Sequence, residues 1–506
     1  MKQNINVEVS LDYDDAEIRH EIKKKFRVNP KSYEIIDRSL DARRAELKFN
    51  LKLEFDEDRE IKGATKAREK YLPKIMPKNN LNVGIVGMGP AGLYAAHILN
   101  LMGAEVHIFE RGRDVDTRCV DVEKFIKTRK LNPNSNISFG EGGAGTFSDG
   151  KLTSRSKDEK KEYVKDLLFS YGAPEDIKIM HKPHIGTDVM RVVIKNFRND
   201  LIRRGVKVHF NSKVERIDIK NNVAEAIIVG DEVYKFDKII LALGNASRDT
   251  FLNLMEEGVN LEAKPFSVGF RIEHEQIFVD RAQFKNYMGH RRLLHGEYQL
   301  TAKADQNGIY SFCMCPGGVV VPSASEPLHL SVNGMSFHDR GLKNANAAIV
   351  RTVNDIVDPI KAIEYQREIE RKAFELGGSD YTAPAISVED FLNGTNPKNK
   401  SKVIPSIKTG VKYTKIDEIF EKGFCDDLRK GLVSMNKKMH GFTSDAVITA
   451  PETKTSSPVR IRRDDNFKTN IDALYACGEG AGYAGGIVSA ALDGLKCAEK
   501  IMEELE

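Results

Sequence analysis

The stretch VGIVGMGPAGLYAAHIL, residues 83–99, decides the fold, because it joins a short apolar run to an apolar helical pattern through a glycine-rich turn. Gly87, Gly89 and Gly92 have the spacing G-x-G-x-x-G, and Pro90 and Ala91 open the helix. In a strand–turn–helix unit the first glycine permits the tight turn, the second lets a ligand approach the backbone, and the third allows close packing of helix on strand. The free N–H groups at the helix start favour an anionic group. The stretch therefore predicts a parallel α/β sheet with an anion-binding turn.

The strand after this helix, EVHIFE, ends at Glu110, which lies 23 residues after Gly87. A carboxylate at this distance accepts hydrogen bonds from the ribose hydroxyls of a dinucleotide. It also repels a 2′-phosphate, which argues against NADP at this site. The complete β-α-β unit predicts a dinucleotide site. The acid alone does not distinguish NAD from FAD, because both contain an adenosine ribose.

A second glycine cluster, LYACGEGAGYAGG, lies at residues 474–486 and repeats the formal spacing between Gly480 and Gly485. A second dinucleotide fold would require a strand, a helix and another strand at this point. Only 26 residues follow Gly480, and the helix that begins near Ile487 occupies most of them. The second cluster is therefore not a second dinucleotide fold.

The second cluster fits the middle and the flavin end of an extended FAD. Glu479 would accept a hydrogen bond from the ribityl chain, and the N–H groups of Gly486 and Ile487 would face the pyrimidine ring of the flavin. Small residues suit this position because a ring system must lie against bare backbone. Two such clusters favour one long ligand, FAD, since NAD alone would leave the second cluster idle. A C-terminal turn without a ligand is the structural alternative.

Two further stretches support an FAD site. FGEGGAGTFSDGKL, residues 139–152, contains five glycines and offers Ser148 and Lys151 as partners for phosphate or flavin. So many glycines are costly in a plain connection, although a flexible surface loop remains the alternative. The buried strand in DKIILALGNASRD, residues 237–249, ends at Ala242-Leu243-Gly244, where backbone can pass close to a cofactor.

Length and composition set broad limits. The chain has 506 residues, which predicts two or three domains, and its formal charge of +4 gives no strong preference for nucleic acid or an anionic membrane. No window of about 18 uninterrupted apolar residues is present, so we predict no membrane contact. The six cysteines include no C-x-x-C pair and no zinc spacing, so we predict no metal site. A cytoplasmic location fits this cysteine usage.

The chain divides into four predicted segments. Residues 1–78 contain a β-α-β-β order, an incomplete ferredoxin-like module, followed by a basic linker. Residues 79–261 and 436–506 form the two parts of a discontinuous Rossmann-like FAD-binding domain, and residues 262–435 form an inserted α+β substrate or cap domain. The predicted fold class is therefore α/β with these additions. The basic linker could contact nucleic acid, but a solvated linker is the usual meaning of such a run, so a nucleic-acid partner is disfavoured.

Long strings of the sequence resemble a known family. They are SNISFGEGGAGTFSDGKL, KPHIGTD, SRDTF, KPFSVGFRIEH, YSFCMCPGG, NGMS, TSSPVRI and GEGAGYAGGIVSAALDG. On these strings the chain resembles the uncharacterised bacterial FAD-dependent dehydrogenases of the glutathione-reductase-type FAD superfamily, in the branch with one dinucleotide-binding domain. The resemblance, which extends from about Lys31 to the C-terminus, implies bound FAD, an N-terminal appendage and no assigned substrate. The family usually has His and Ser where this chain has Asn245 and Ala246, so no side-chain role is carried over there.

The predicted FAD-binding residues come from the two glycine clusters, the loop at 139–152 and neighbouring strand ends. They are Gly87, Gly89, Pro90, Ala91, Gly92, Glu110, Arg111, Gly143, Ser148, Lys151, Val214, Ala242, Gly244, Gly478, Glu479, Gly485, Gly486 and Ile487.

The middle region supplies the candidates for catalysis. Cys313 and Cys315 are two residues apart and would share one face of a strand, where a thiol pair could relay electrons, although plain strand residues are the commoner case. Arg271 could hold a substrate carboxylate, but a structural ion pair is favoured over that role. His274 would lie on the opposite side of the same strand. No catalytic residue is assigned from the sequence.

The predicted function is a soluble FAD-dependent oxidoreductase that transfers a hydride between flavin and an unidentified small molecule. NADH or NADPH could serve as electron donor. It would bind transiently, because the sequence contains no second nucleotide fold. Two alternatives keep FAD. One is a flavoprotein associated with RNA modification through residues 1–78, and the other is a non-catalytic scaffold or sensor. The sequence indicates neither the substrate nor the oligomeric state.

Overall fold

The computed structural model describes residues 1–43, 46–67, 69–154, 156, 158–398 and 401–504. The N-terminal module consists of β1 (Lys2–Val9), α1 (Asp15–Phe26), β2 (Glu34–Asp41), β3 (Lys48–Asp56) and β4 (Thr65–Lys66). Its strands form an antiparallel sheet in the order β2-β3-β1-β4. The predicted β-α-β-β order is therefore present.

Local sequence explains the elements of this module. Asp14 caps α1 by accepting a hydrogen bond from the N–H of Glu17 at 2.8 Å, and Ile18 and Ile22 turn inward from the helix. Alternate residues of β3, among them Leu51 and Leu53, are buried against that helix face. One side of the small sheet is thus the core of the module.

The following region contains a β-α-β unit, four further α-helices and several short strands among its described residues. Its elements are β5 (Asn82–Val86), α2 (Pro90–Leu101), β6 (Glu105–Phe109), α3 (Val115–Thr128), α4 (Lys160–Ser170), α5 (Thr187–Arg203), β7 (Lys207–His209), β8 (Arg216–Lys220), β9 (Val223–Val229), β10 (Glu232–Lys235), β11 (Lys238–Leu241) and α6 (Arg248–Glu256). Strands β8 to β10 form a small antiparallel sheet of their own.

The middle of the chain is rich in strands, and two long helices interrupt it. Its elements are β12 (Leu261–Ala263), β13 (Phe266–Glu275), α7 (Gln276–Phe284), β14 (Thr301–Ala304), β15 (Asn307–Cys315), β16 (Gly318–Pro322), β17 (Val332–Ser336), β18 (Asn344–Val353), α8 (Pro359–Gly377), β19 (Ala383–Ser387), α9 (Val388–Asn393), β20 (Val411–Tyr413) and α10 (Lys422–Lys438). The chain ends with β21 (Val447–Glu452), β22 (Val459–Ile461), β23 (Leu474–Ala476) and α11 (Ile487–Glu503).

A five-stranded parallel sheet, in the order β23-β11-β5-β6-β7, combines two distant parts of the chain. Its central strands are apolar, as expected for a parallel sheet that is covered on both faces. β23, from the C-terminal part, pairs with β11 and so brings the second glycine cluster beside the first. The sequence predicted this joining of residues near 85 with residues near 475.

A seven-stranded mixed sheet, in the order β14-β15-β18-β13-β21-β19-β20, forms the second large layer. The predicted boundary between residues 435 and 436 separates β21 from this sheet, in which β21 pairs with β13 and β19. β21 is buried along its whole length, so its periodicity does not tell which of the two sheets it joins. The four-segment division itself remains a prediction.

Two contacts orient these layers around a common space. α11 lies directly on α2, where a Cβ added at Gly494 would come 2.0 Å from the carbonyl oxygen of Ala91. The N-terminal module joins the parallel-sheet region through backbone hydrogen bonds between Arg38 and the segment at Ile179 to His181. The starts of α2 and α11 consequently face the same side of the protein.

Candidate functional site: two helix starts on one cavity

The start of α2 has the close packing that its glycine spacing predicts. Gly87 has φ +107°, and a Cβ there would lie 2.5 Å from the carbonyl oxygen of Ala242. A Cβ at Gly92 would lie 2.0 Å from the carbonyl oxygen of Gly87. At Gly89, by contrast, an added Cβ meets no atom within 4 Å, and no side chain caps the helix. Backbone N–H groups are therefore exposed at this helix start, with room in front of them.

Glu110 organises the backbone around this helix start. Its Oε2 accepts the N–H of Met88 at 3.0 Å, and its Oε1 accepts the N–H groups of Gly112 and Gly140 at 2.9 and 3.0 Å. The side chain is buried, yet it borders the cavity described below. A carboxylate has about four lone-pair directions, so one direction remains for a ligand hydroxyl.

The start of α11 is a second uncapped helix N-terminus. Gly486 is its N-cap residue, and no side chain bonds the first N–H groups of the helix. A Cβ at Gly485 or Gly486 meets no atom within 4 Å. The same turn is anchored further back, where the N–H of Gly480 donates to the carbonyl oxygen of Leu243 at 2.9 Å. The turn is fixed by the parallel sheet, while its tip faces open space.

The glycine-rich loop at 139–152 connects the two helix starts. A Cβ at Gly143 would lie 3.3 Å from Cα of Gly89, and a Cβ at Gly145 would lie 3.1 Å from the side chain of Ile487. Gly143 also has φ +63°, which favours glycine. The loop is therefore an ordered part of the site, and the flexible-loop alternative does not describe it.

Arg118 on α3 holds this loop in place. It is fully buried, and its guanidinium donates to the carbonyl oxygens of Asn136, Ile137, Glu141 and Gly143 at 2.7 to 2.9 Å. Sequence reasoning did not identify Arg118, because its partners lie 18 to 25 residues away and are backbone atoms. A single arginine in an otherwise ordinary helix gives no sequence signal for such a role.

One cavity of about 2450 Å³ reaches all these features and extends to the N-terminal module. Most of the predicted FAD-binding residues border it: Gly87, Gly89, Pro90, Ala91, Glu110, Arg111, Gly143, Ser148, Lys151, Val214, Ala242, Gly244, Glu479, Gly485, Gly486 and Ile487. Gly92 and Gly478 do not border it and serve packing, since a Cβ at Gly478 would lie 2.8 Å from Cβ of Ala91.

Glu479 is a partly buried carboxyl group at the cavity edge. Burial raises its pKa to about 7, the positive charge of Lys264 opposes this rise, and negative charge on Cys313 adds to it. Its Oε1 accepts a hydrogen bond at 2.9 Å from Nδ2 of Asn245, which also donates to the carbonyl oxygen of Lys454 at 3.0 Å. Asn245 therefore has a side-chain role in positioning Glu479, although no role was carried over to it from the family.

Three predicted residues make protein contacts inside the site. Lys151 Nζ donates to Asp149 at 2.7 Å, and Ser148 Oγ donates to the carbonyl oxygen of Gly145 at 2.8 Å. Arg111 donates to Asp249 at 2.8 Å. These three side chains shape the cavity wall through contacts within the protein.

Arg271 and His274 have structural surroundings. Arg271 is fully buried and donates to Glu452 at 3.0 Å, to Asn346 at 2.7 Å and to the carbonyl oxygen of Cys313 at 3.1 Å. His274 is also buried, its Nε2 lies 2.7 Å from the carbonyl oxygen of Phe442, and burial lowers its pKa to about 4. Neither residue borders the cavity. These contacts agree with the structural ion pair that was favoured for Arg271.

Cys313 borders the cavity, but the strand around it is irregular. The pairing of β15 with β18 shifts register between Phe312 and Cys315, so simple alternation does not hold for the two cysteines. The prediction that they share one strand face was therefore based on a regularity that the strand lacks. Cys315 nevertheless lies against Cys313, because its Sγ donates to the carbonyl oxygen of Cys313 at 3.4 Å. Hydrogen bonding with Cys315 lowers the pKa of Cys313 to about 7.

Two further groups that the sequence did not single out border the same wall. Lys454 Nζ donates to the carbonyl oxygen of Ser323 and to Ser325 Oγ, both at 2.7 Å, and burial lowers its pKa to about 8. The Tyr298 hydroxyl is buried and has no hydrogen-bond partner among the residues that the structure describes. Both side chains border the cavity. They are groups that can hold a proton close to a ligand.

Within the described ranges, no group of three or more His, Cys, Asp or Glu side chains is arranged to hold a metal ion. None of the helices in that part of the chain is long and apolar enough to cross a membrane.

Comparison with known families gives a class for the middle of the chain. Residues 265–455 match the family described as FAD-dependent protein, C-terminal domain-like. This match includes β21 together with the strands with which it pairs. Residues 1–56 match a domain of unknown function, DUF8436. The match over the middle region supports FAD as the cofactor, and this part of the mixed α/β chain is similar to the C-terminal domain of FAD-dependent proteins.

A full-length relative places the chain more closely. An uncharacterized protein of Clostridium beijerinckii is 40% identical over 532 residues, which cover 99% of this chain and 98% of the relative. The chain belongs to the same protein family as this clostridial protein.

Solved structures show weaker likenesses. The crystal structure of CtdE in complex with FAD is 12% identical, with a TM-score of 0.35, and the match covers 84% of this chain and 89% of that chain. An oxidoreductase from Methanosarcina mazei is 13% identical, with a TM-score of 0.33, and the match covers 84% and 100%. Likenesses at this level carry no argument about the site.

Proposed function

We propose that the cavity binds one extended FAD and that the protein is an FAD-dependent oxidoreductase acting on a small molecule. One observation carries the proposal: two uncapped helix starts, α2 and α11, border the same cavity, and the loop at 139–152 connects them. A helix start of this kind favours negative charge. A ligand that has an anionic group in its middle and a ring that gains negative charge on reduction fits both helix starts.

The adenosine and pyrophosphate end would lie at α2. Backbone N–H groups around Gly89 and Pro90 would bind the pyrophosphate, and the space in front of Gly89 fits a group that approaches the backbone closely. Glu110 would accept the ribose hydroxyls through the lone pair that its three backbone donors leave free. Arg118 keeps this surface in shape through the loop that it anchors.

The flavin end would lie at α11. FAD, when bound, supplies two-electron redox chemistry by exchange of a hydride at the flavin ring. The N–H groups of Gly486 and Ile487 stabilise negative charge in front of them, because they begin a helix. Glu479 would orient the ribityl chain, and Lys454 Nζ, which borders the cavity with a pKa of about 8, can hold or release a proton near neutral pH.

The substrate would enter where the cavity is bordered by the seven-stranded sheet, next to Cys313 and Tyr298. NADH or NADPH is the proposed electron donor and would bind there transiently. Hydride transfer is the reaction expected between a flavin and a nicotinamide donor.

The cofactor proposal is tested on the purified full-length protein. Protein denatured without added cofactor should release FAD in a ratio of one per chain, and FMN and NAD should be absent from the extract. Gly89→Val should lower the FAD content, because its side chain occupies the space where a pyrophosphate would lie. Gly423→Val, at a helical glycine that is also open but distant from the cavity, is the matched control. Colourless protein that ignores added FAD would overturn the proposal.

The enzymatic part is tested by anaerobic stopped-flow reduction. NADH or NADPH should bleach the flavin within seconds, and a metabolite screen should then identify a compound that restores its colour. A flavin that neither nicotinamide nucleotides nor the screened metabolites reduce or reoxidise would favour a scaffold or sensor over an oxidoreductase.

A further inference from the structure

A pair of thiols lies at the cavity edge on β15, where the strand departs from regular pairing. Cys313 has φ +44°, a left-handed conformation that is uncommon for residues other than glycine. Arg271 fixes this conformation, because its Nη1 and Nη2 donate to the carbonyl oxygen of Cys313 at 3.1 and 3.3 Å. Conformations of this kind persist only when their surroundings hold them, and they concentrate at functional sites.

The two thiols are arranged as a reactive sulfur with a partner. The hydrogen bond from Cys315 lowers the pKa of Cys313 to about 7 and raises the pKa of Cys315. Cys315 Sγ also lies 3.9 Å from Nη1 of Arg271 and 3.4 Å from the carbonyl oxygen of Cys313. A thiolate is the attacking form in thiol–disulfide exchange. Cys313 can therefore attack near neutral pH, with Cys315 next to it.

The chain between the two cysteines permits a bond between them. Residues two apart are separated by at most about 7 Å in an extended chain, and a disulfide joins Cα atoms about 4.4–6.8 Å apart. Cys315 Sγ already lies 3.4 Å from the carbonyl oxygen of Cys313, so this sulfur is close to the other cysteine residue. No movement of a second element is required to bring the sulfur atoms together.

The pair also has access to the region assigned to the flavin. Cys313 borders the cavity and is partly exposed, whereas Cys315 is fully buried behind it. The charge of Cys313 contributes to the raised pKa of Glu479, so the thiol and the carboxyl group at the start of α11 are close enough to interact. The exposed sulfur is thus the one on the flavin side.

We propose that Cys313 and Cys315 form a redox-active dithiol that exchanges an electron pair with the flavin, an inference that rests on the proposed FAD site. In the oxidative direction the two S–H bonds break and one S–S bond forms. Two electrons and one proton pass to the oxidised flavin, and the second proton is released to solvent. The reverse step regenerates both thiols from the reduced flavin. The pair stores one electron pair beside the cofactor.

A second pair of cysteines in the same chain serves as an internal control for the oxidation experiment. Cys477 and Cys497 are also hydrogen-bonded to each other, and burial together with this bond raises the pKa of Cys497. Both are fully buried in the apolar core between β23 and α11, and neither borders the cavity. A thiol pair without access to the cavity should remain reduced under conditions that oxidise the first pair.

The experiment uses the full-length holoprotein under anaerobic conditions. The protein is equilibrated in glutathione buffers from reducing to oxidising, quenched with acid, alkylated with N-ethylmaleimide in denaturant and mapped by peptide mass. The Cys313–Cys315 peptide should lose both alkylation sites on oxidation, and Cys477 and Cys497 should keep theirs. In a dithionite titration, oxidised wild type should consume twice the electrons per flavin that Cys313→Ser consumes. Cys119→Ser, which changes a half-buried cysteine elsewhere, should titrate like wild type.

The outcomes separate this inference from the cofactor proposal. Protein that holds FAD, keeps both cysteines alkylatable in every buffer and titrates like Cys313→Ser would overturn the dithiol and leave the FAD site intact. Protein without FAD would overturn both. Where Cys313→Ser fails to fold, Cys315→Ser and the peptide map of the wild type decide the same question, since the map needs no variant.

Discussion

The starts of α2 and α11 have the same local plan but different surroundings. At α2 the protein itself requires glycine, because a Cβ would come 2.5 Å from the Ala242 carbonyl at Gly87 and 2.0 Å from the Gly87 carbonyl at Gly92. At α11 a Cβ on Gly485 or Gly486 meets no atom within 4 Å. The first start is a tightly packed cradle with one open position, and the second is an open platform. Glycines at such a platform leave room for a planar ring to lie directly on the backbone.

The acids beside the two helix starts differ in the same way. Glu110 accepts hydrogen bonds from three backbone N–H groups, which fix its position. Glu479 is held by an asparagine amide, and burial raises its pKa to about 7. The first acid is part of the scaffold, whereas the second can change its charge near neutral pH, next to the proposed flavin.

The largest expected effect lies in the packed cradle. Gly87→Ala combines a left-handed φ with a backbone clash, so it should lower the free energy of unfolding by about 2–6 kcal/mol. Gly423→Ala, in a helix and without neighbours within 4 Å, should instead be neutral or stabilising by about 0.5–1 kcal/mol. Urea unfolding followed by circular dichroism measures both. Equal stability of the two variants would remove the distinction between cradle and platform.

The next-largest expected effect is a loss of FAD affinity, without a matching loss of stability, at the start of α11. Gly486 has extended backbone with φ 164°, which any residue adopts, so Gly486→Val should change the free energy of unfolding by no more than about 1 kcal/mol. Its side chain would occupy the proposed flavin space and should weaken FAD binding at least ten-fold, or about 1.4 kcal/mol. Fluorescence titration of protein stripped of flavin measures the affinity. Unchanged FAD affinity in Gly486→Val would place the flavin elsewhere.

A smaller effect appears as a pH dependence. Glu479 has a folded pKa of about 7 against an ordinary value of 4.5, so the folded state binds the proton more tightly than the unfolded chain. The stability that this proton provides is present below pH 4.5 and is lost between pH 4.5 and 7. Glu479→Gln cannot titrate, so its unfolding free energy relative to wild type should rise over this interval and level off above it. A difference that is independent of pH would contradict the burial argument.

The smallest effect concerns the residue that holds this acid. Asn245 donates a hydrogen bond that lowers the pKa of Glu479 against the effect of burial. Asn245→Ala should raise the upper limit of the pH interval described for Glu479 and cost about 0.5–1.5 kcal/mol of stability. The same pH series of unfolding curves measures the shift. An interval that stays in place would mean that Asn245 does not position the acid.

Sequence spacing was sufficient to predict the two helix starts and their joining in one sheet. The chemistry there depends on local backbone geometry, and Gly87, Gly92 and Glu110 stand at the positions that a strand–turn–helix unit needs. Glu479 was found in the same way, because it follows a strand and precedes a helix.

Contacts between distant segments could not be predicted in this way. Arg118 bonds to backbone carbonyls of a loop, and backbone partners leave no trace in residue identity. The left-handed conformation of Cys313 is held by Arg271 from another strand, so alternation along β15 could not predict it. β21 is buried on both faces, which is equally compatible with either large sheet.

The central claim is that two distant helix starts bind opposite parts of one FAD. A crystal structure of the holoprotein tests it most directly. The account predicts one FAD per chain, with its pyrophosphate at the N-terminus of α2 and its flavin pyrimidine ring at the N-terminus of α11. Density for FAD that stops at α2, with its flavin directed away from Gly486, would contradict it.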